Sequence, residues 1–145
     1  MIKKYEYDII FPVNDMRITE KLMVKDQLIS FEVFPPKTDS AFDSIEWSVR
    51  ELAAFNPDFM SVTYGAGGGT SKNTVKIASH IKNDLGVNSI AHLTCVSSTK
   101  DEVHRVVEDI KENGIQNILA LRGDIPKDAA FPVNANCLVK KERSE

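Results

Sequence analysis

The sequence predicts an α/β fold of parallel βα units, and three observations carry that prediction. Short β-branched or aromatic runs recur at Leu28 to Phe34, Asp58 to Tyr64, Asn88 to Cys95 and Asn117 to Asp124. Stretches with apolar residues at helical spacing separate them. The repeat is about 30 residues, the length of a strand with its crossover helix and turns, which implies right-handed units and a parallel sheet. Periodicity alone leaves two architectures standing, an open doubly wound sheet and part of a (β/α)8 barrel. The 145 residues fall short of the ~250 of a complete barrel.

Taken in order, the first 27 residues form an N-terminal extension in which Ile18, Leu22 and Met23 predict a short amphipathic helix within Arg17 to Lys25. Strand Leu28 to Phe34 then meets Pro35 and Pro36, which lack amide donors and end the pairing. Ser40 and Asp43 resemble a capping box that opens a helix with Phe42, Ile45, Val49 and Leu52 on one face, and Asn56-Pro57 stops it. Strand Asp58 to Tyr64 leads through the loop Gly65 to Gly69 into a helix opened by Thr70 or Ser71. Val75, Ala78, Ile81 and Leu85 give its buried stripe and Gly86 closes it. After the third strand comes the capping box Thr99 and Glu102, a helix with Val103, Val106, Val107 and Ile110, and Gly114 as its stop. The βα units occupy residues 28–126. Residues 127–145 either begin a further helix or form a disordered tail.

Composition narrows the class of function. With 42% hydrophobic and 27% charged residues the chain reads as an ordinary soluble domain. A formal net charge of −3, with both signs interspersed, argues against a nucleic-acid footprint or a polybasic membrane patch, so a small molecule is the expected partner. Cys95 and Cys137 have no metal-type spacing and read as reduced thiols of a cytoplasmic protein. The apolar run Ile9 to Val13 is too short for a signal peptide and contains Pro12, and no stretch approaches the ~20 apolar residues of a membrane span.

Strand residues two apart share a face. That rule groups Ser30, Glu32 and Phe34 on strand one, Ser61 and Thr63 on strand two, His92 and Thr94 on strand three, and Ala120, Arg122 and Asp124 on strand four. Glu32, Thr63, His92 and Arg122 succeed one another at intervals of 31, 29 and 30 residues, which predicts similar heights on adjacent strands. Ligands of α/β folds collect at the C-terminal ends of parallel strands, so these residues predict a site.

Each of them also has a structural explanation. Glu32 is either half of an ion pair at a strand end or, enclosed by its aromatic neighbours, a carboxyl whose pKa desolvation raises toward general-acid work. Thr63 and Thr94 are common strand residues, and His92 is either a satisfied structural histidine or a switchable group. Arg122 and Asp124 either pair with each other or shape a loop around Gly123. Gly65 to Gly69 offers backbone amides to an anion or is a flexible turn, since it matches neither the dinucleotide fingerprint nor a Walker loop.

Four motifs carry a family likeness: Ser30-Phe-Glu-Val-Phe-Pro-Pro-Lys-Thr38, Ser61-Val-Thr-Tyr-Gly-Ala-Gly67, Ala91-His-Leu-Thr-Cys95 and Asn117-Ile-Leu-Ala-Leu-Arg-Gly-Asp124. In order and spacing they resemble the successive motifs of the methylenetetrahydrofolate reductases. The resemblance implies a (β/α)8 barrel that holds FAD at the C-terminal ends of its strands. A reduced nicotinamide, NADH or NADPH, passes hydride to the flavin, which reduces 5,10-methylenetetrahydrofolate to 5-methyltetrahydrofolate. By matching position, the resemblance implies that Glu32 is the acid that helps open the folate's five-membered ring. It likewise implies that Asp124 lies near flavin and pterin, tuning both by its charge, and that Thr63, His92 and Arg122 contact the flavin. Past Asp124 the sequence departs from the family's tyrosine-alanine-serine-aspartate-leucine-valine segment that leads into helix four; its nearest match is Asn134-Ala-Asn-Cys-Leu-Val139, with Ala135 as an implied FAD contact. Homo-oligomerisation is implied for the full-length family.

The family continues through four more βα units where this sequence stops at Glu145. The sequence is therefore expected to supply about four βα units of a barrel, as a truncated reductase with weak or no turnover. The alternative is a non-catalytic half-barrel that self-associates or binds flavin or a partner subunit.

Overall fold

The computed structural model describes residues 16–36, 42–64, 71–96 and 98–123. Helix α1 (Ile18–Val24) precedes strand β1 (Ser30–Val33), helix α2 (Phe42–Ala53), strand β2 (Phe59–Val62) and helix α3 (Ser71–Ser79). A π-helical turn (His80–Asp84) continues α3, and strand β3 (Ser89–Thr94), helix α4 (Lys100–Glu112) and strand β4 (Asn117–Leu121) come after it. The four strands form one parallel sheet in the order β1-β2-β3-β4. This is the α/β architecture that the periodicity predicts, with each strand beside its predecessor in sequence.

The core lies on one side of the sheet. Val33, Met60, Val62 and Ala91 alternate onto that face and pack against Val49 of α2, Val75 and Ala78 of α3, Ile81 of the π-turn and Ile110 of α4. Burying one such aliphatic side chain contributes about 1.5–3 kcal/mol, so this stripe is the main force fastening helices to sheet. Local signals agree with it. Thr99 Oγ1 accepts the Glu102 N–H at 3.3 Å while Glu102 Oε2 accepts the Thr99 N–H at 2.6 Å, completing the predicted capping box of α4. Gly86 and Gly114 end their helices at φ +68° and +75°, and Asn56 ends α2 at φ +51°, a conformation that asparagine tolerates better than most residues.

One feature differs from the sequence expectation. The helix after β2 stays α-helical only to Ser79 and then opens into the π-turn, where Leu85 N–H donates to His80 O at 3.2 Å. Asn83 there reaches Ser79 Oγ and the Asn113 carbonyl, both at 3.0 Å, tying the turn to the end of α4. The N-terminal helix α1 lies within Arg17 to Lys25, as its apolar spacing predicts. It closes the N-terminal end of the sheet: Ile18 N–H donates to Asn117 Oδ1 at 3.1 Å, and buried Lys21, 2% exposed, donates from Nζ to the Asp58 carbonyl at 2.8 Å. Lys25 pairs with the Asp58 carboxylate, whose other oxygen accepts the Ile29 N–H at 2.9 Å. The Lys25 contact, and after it the Ile29 amide, hold the Asp58 carboxyl below the usual carboxylate range.

Candidate functional site

Opposite the helices, the sheet presents a polar face. Glu32 is level with Ser61, and Ser61 with Ile90. Val62 is level with Ala91, so Thr63, the next residue, stands beside His92, which is level with Leu119. Alternation therefore puts Glu32, Ser61, Thr63 and His92 on one face, with Val33, Val62 and Ala91 on the other. The predicted equal heights are corrected by this register. Thr63 and His92 lie two residues farther along the sheet than Glu32, and Arg122 a further three, because the loops joining the strands differ in length and equal sequence spacing does not translate into equal height.

Strand four differs most from the parity expectation. The register puts Asn117, Leu119 and Leu121 on the polar face and Ile118 and Ala120 on the helix side. Arg122 comes directly after the last strand residue, is exposed, and donates from Nε to the Gly123 carbonyl at 3.2 Å. Its own carbonyl accepts the Cys95 and Val96 N–H groups at 3.3 and 2.8 Å. Gly123 then turns at φ +83°, which ends the alternation of the strand. Asp124 and Ala135 lie outside the described residues, as do Ser40, Cys137 and the glycines of 65–69.

The face has a definite electrostatic character. His92 is 7% exposed and its Nε2, buried, has no hydrogen-bond partner among the described residues. Burial pushes the imidazole pKa below its ordinary value, opposed by the Glu32 carboxylate, whose Oε2 lies 3.9 Å from Nε2. The expected aromatic enclosure of Glu32 is absent among the described residues. Phe31 turns to the helix side and meets Phe55 edge-on at 6.3 Å, Phe34 is 65% exposed, and the Glu32 side chain itself is 49% exposed. Leu119 and Leu121 border the face, 43% and 41% exposed.

Thr63 is held from behind. Its N–H donates to the Val33 carbonyl at 2.9 Å, and its own carbonyl accepts the hydroxyl of buried Thr74 at 3.0 Å. The sequence reasoning overlooked Thr74, which anchors the end of β2 from the first turns of α3. A small hydroxyl residue just inside a helix that comes after a glycine-rich loop is the signal that points to it. Among the described residues no cluster of histidine, cysteine, aspartate or glutamate could hold a metal ion, and no helix is long and apolar enough to cross a membrane.

A flat aromatic ring system with a polar edge suits this arrangement. Leu119 and Leu121 offer apolar contact, and Glu32, Thr63 and His92 set polar groups beside them on the same face. The residues present are therefore compatible with FAD.

Comparison with known proteins gives this face its context. The family description of methylenetetrahydrofolate reductase matches residues 17–140. Methylenetetrahydrofolate reductase (NADH) 1 of Arabidopsis thaliana is 39% identical over 115 residues, 77% of this chain and 19% of the relative. The 5,10-methylenetetrahydrofolate reductase of Salmonella typhimurium is 39% identical over 104 residues, 72% of this chain and 35% of the relative. That of Escherichia coli is 40% identical over the same length, with the same shares. The chain thus spans between a fifth and about a third of the length of these relatives. Four parallel strands joined by three helices are consistent with part of the (β/α)8 barrel of that family. With the four motifs falling on the strand ends and the family match running through all of them, the chain belongs to the methylenetetrahydrofolate reductase family.

Proposed function

We propose that the protein serves the reduction of 5,10-methylenetetrahydrofolate to 5-methyltetrahydrofolate, with FAD held on the polar face and NADH or NADPH as electron donor. The observation that carries this reading is the convergence of Glu32 and His92, 3.9 Å apart, on the open face of a sheet whose family is that of the reductases. Bound FAD would supply the hydride chemistry, which belongs to the cofactor and not to the side chains. Glu32 would donate the proton that opens the folate's five-membered ring to its reactive iminium. Its exposure in the free protein leaves it accessible to a substrate, and a ligand stacked over the face would exclude water from it.

Thr63, fixed through Thr74, and His92 would contact the flavin edge, and Arg122, at the strand end with its guanidinium exposed, would offer an anion contact. Asp124, near Arg122 in sequence, would tune flavin and pterin by its negative charge, and Ala135 would add a further flavin contact.

A second reading, flavin binding without turnover, is favoured by the exposure of Leu119 and Leu121 on the same face. One experiment separates the two. The purified protein is titrated with FAD, reduced anaerobically with NADH or NADPH, and mixed with 5,10-methylenetetrahydrofolate while its visible spectrum is monitored. Flavin uptake, bleaching and reoxidation by the folate are expected. Uptake without bleaching by either nicotinamide supports the second reading, and a protein that takes up no FAD contradicts both.

A further inference from the structure

Strands β1 and β3 are separated by β2, so their backbones stand roughly 9.5 Å apart. Glu32 and His92 nevertheless approach to 3.9 Å, so their side chains meet across β2, on the face that carries Ser61 and, just past the strand, Thr63. His92 is the fixed member of this pair. Its side chain is 8% exposed and Nε2 is sealed from solvent with no hydrogen-bond partner among the described residues, a costly state for a polar atom. Glu32 is the movable member, half exposed and joined by no hydrogen bond to another described residue. A small side-chain rotation would bring its carboxyl from 3.9 Å to hydrogen-bonding distance of about 2.8 Å.

We propose that His92 is a positioning residue for Glu32: its Nε2–H donates to one carboxyl oxygen and leaves the other, with its proton, directed to the substrate side of the sheet. This rests on the reading of Glu32 as the ring-opening acid. The surroundings favour such an arrangement over a simple ion pair. A charged imidazolium would hold Glu32 ionised and oppose the proton it must carry, whereas a neutral imidazole orients the carboxyl with far less bias. Burial disfavours the charged imidazole, and the groups facing it from β2 and β4 are the uncharged Ser61, Thr63 and Leu119. Glu32 on β1 is the charged group that acts on it among the described residues.

Coupling between two titrating groups is reciprocal, so each should report the other's removal. The imidazole nitrogens of His92 and the carboxyl carbon of Glu32 are monitored by NMR across pH in the whole chain, without flavin or folate. Glu32→Gln is expected to lower the His92 midpoint, because the carboxylate is what raises it. His92→Leu is expected to shift the Glu32 carboxyl-carbon resonance at fixed neutral pH, and His92→Gln, whose amide places an N–H near the position of Nε2, to restore it toward that of the unmodified protein. An unchanged His92 midpoint in Glu32→Gln overturns the proposal, and that variant alters an exposed side chain, so the outcome stands even where His92→Leu does not fold. Because no cofactor is present, the pair can fail while flavin uptake succeeds, and the reverse.

Discussion

Gly123 sits so close to the end of β3 that a Cβ built on it would stand 2.9 Å from Thr94 Cβ and 3.2 Å from Val96 Cγ1. Its φ of +83° lies in the region that side chains disfavour, so space and backbone both demand glycine here. Gly123→Ala is therefore expected to destabilise the protein by about 1–3 kcal/mol, read as a lower urea midpoint. If FAD binds as proposed, the same variant should also weaken its uptake, because Arg122 and Asp124 flank Gly123 in sequence. An unchanged midpoint would show that β3 and β4 separate freely at this end.

Lys21 tests the closure of the opposite end of the sheet. Its buried Nζ is bound to the Asp58 carbonyl, and burial lowers its pKa. Lys21→Ala removes the stem and leaves that carbonyl unpartnered, with an expected loss of about 2–4 kcal/mol in chemical denaturation. Lys21→Met, which keeps most of the volume, should cost less. A neutral Lys21→Ala would mean that α1 does not close the sheet in solution.

Helix α4 offers a local test. Thr99→Ala should cost about 1 kcal/mol by removing the hydroxyl that accepts the Glu102 amide. The Thr99 amide and hydroxyl also hold the Glu102 carboxyl below its ordinary pKa of 4.5. A depressed carboxyl contributes stability above its unfolded value and loses it as pH falls through the folded one. The gap between Thr99→Ala and the unmodified protein should therefore narrow as pH falls below 4.5, by the part that the hydroxyl's bond to the Glu102 carboxylate contributes, while the part from the capped amide remains. A gap that stays constant with pH would dissociate Glu102 from the cap.

His92 makes a prediction of opposite chemical type but similar direction. Its pKa is lowered in the folded state, so between that value and the unfolded 6.5 the unfolded chain binds more protons and folding weakens as pH falls. Thermal melts should show the unmodified protein losing stability below pH 6.5, with His92→Gln losing less over the same interval. Parallel profiles for the two proteins would contradict the burial of the imidazole.

Much of the scaffold was legible because its signals are local. The Thr99 and Glu102 box, the stops at Gly86 and Gly114, and the apolar stripe of Val75, Ala78 and Ile81 each act within one element, where spacing and chemistry coincide. The relative heights of Glu32, Thr63, His92 and Arg122 were not legible, because register depends on loop lengths and on pairing between strands. The buried Lys21 and its bond to Asp58 link residues 37 positions apart, and no local pattern marks them. Glu32 and His92 were each visible as candidates. Their approach across β2 emerges only when the strands are placed side by side.

The central claim, that Glu32 supplies the proton for folate reduction, is tested most directly by separating the two half-reactions in Glu32→Gln. Flavin bound to the protein is first reduced by NADH or NADPH under anaerobic conditions and then reoxidised by 5,10-methylenetetrahydrofolate, each step monitored in the visible spectrum. The variant is expected to undergo flavin reduction at nearly the unmodified rate and reoxidation about 10²–10⁴-fold more slowly, the loss typical of a missing general acid. Equal slowing of both half-reactions, or reoxidation at the unmodified rate, would contradict it.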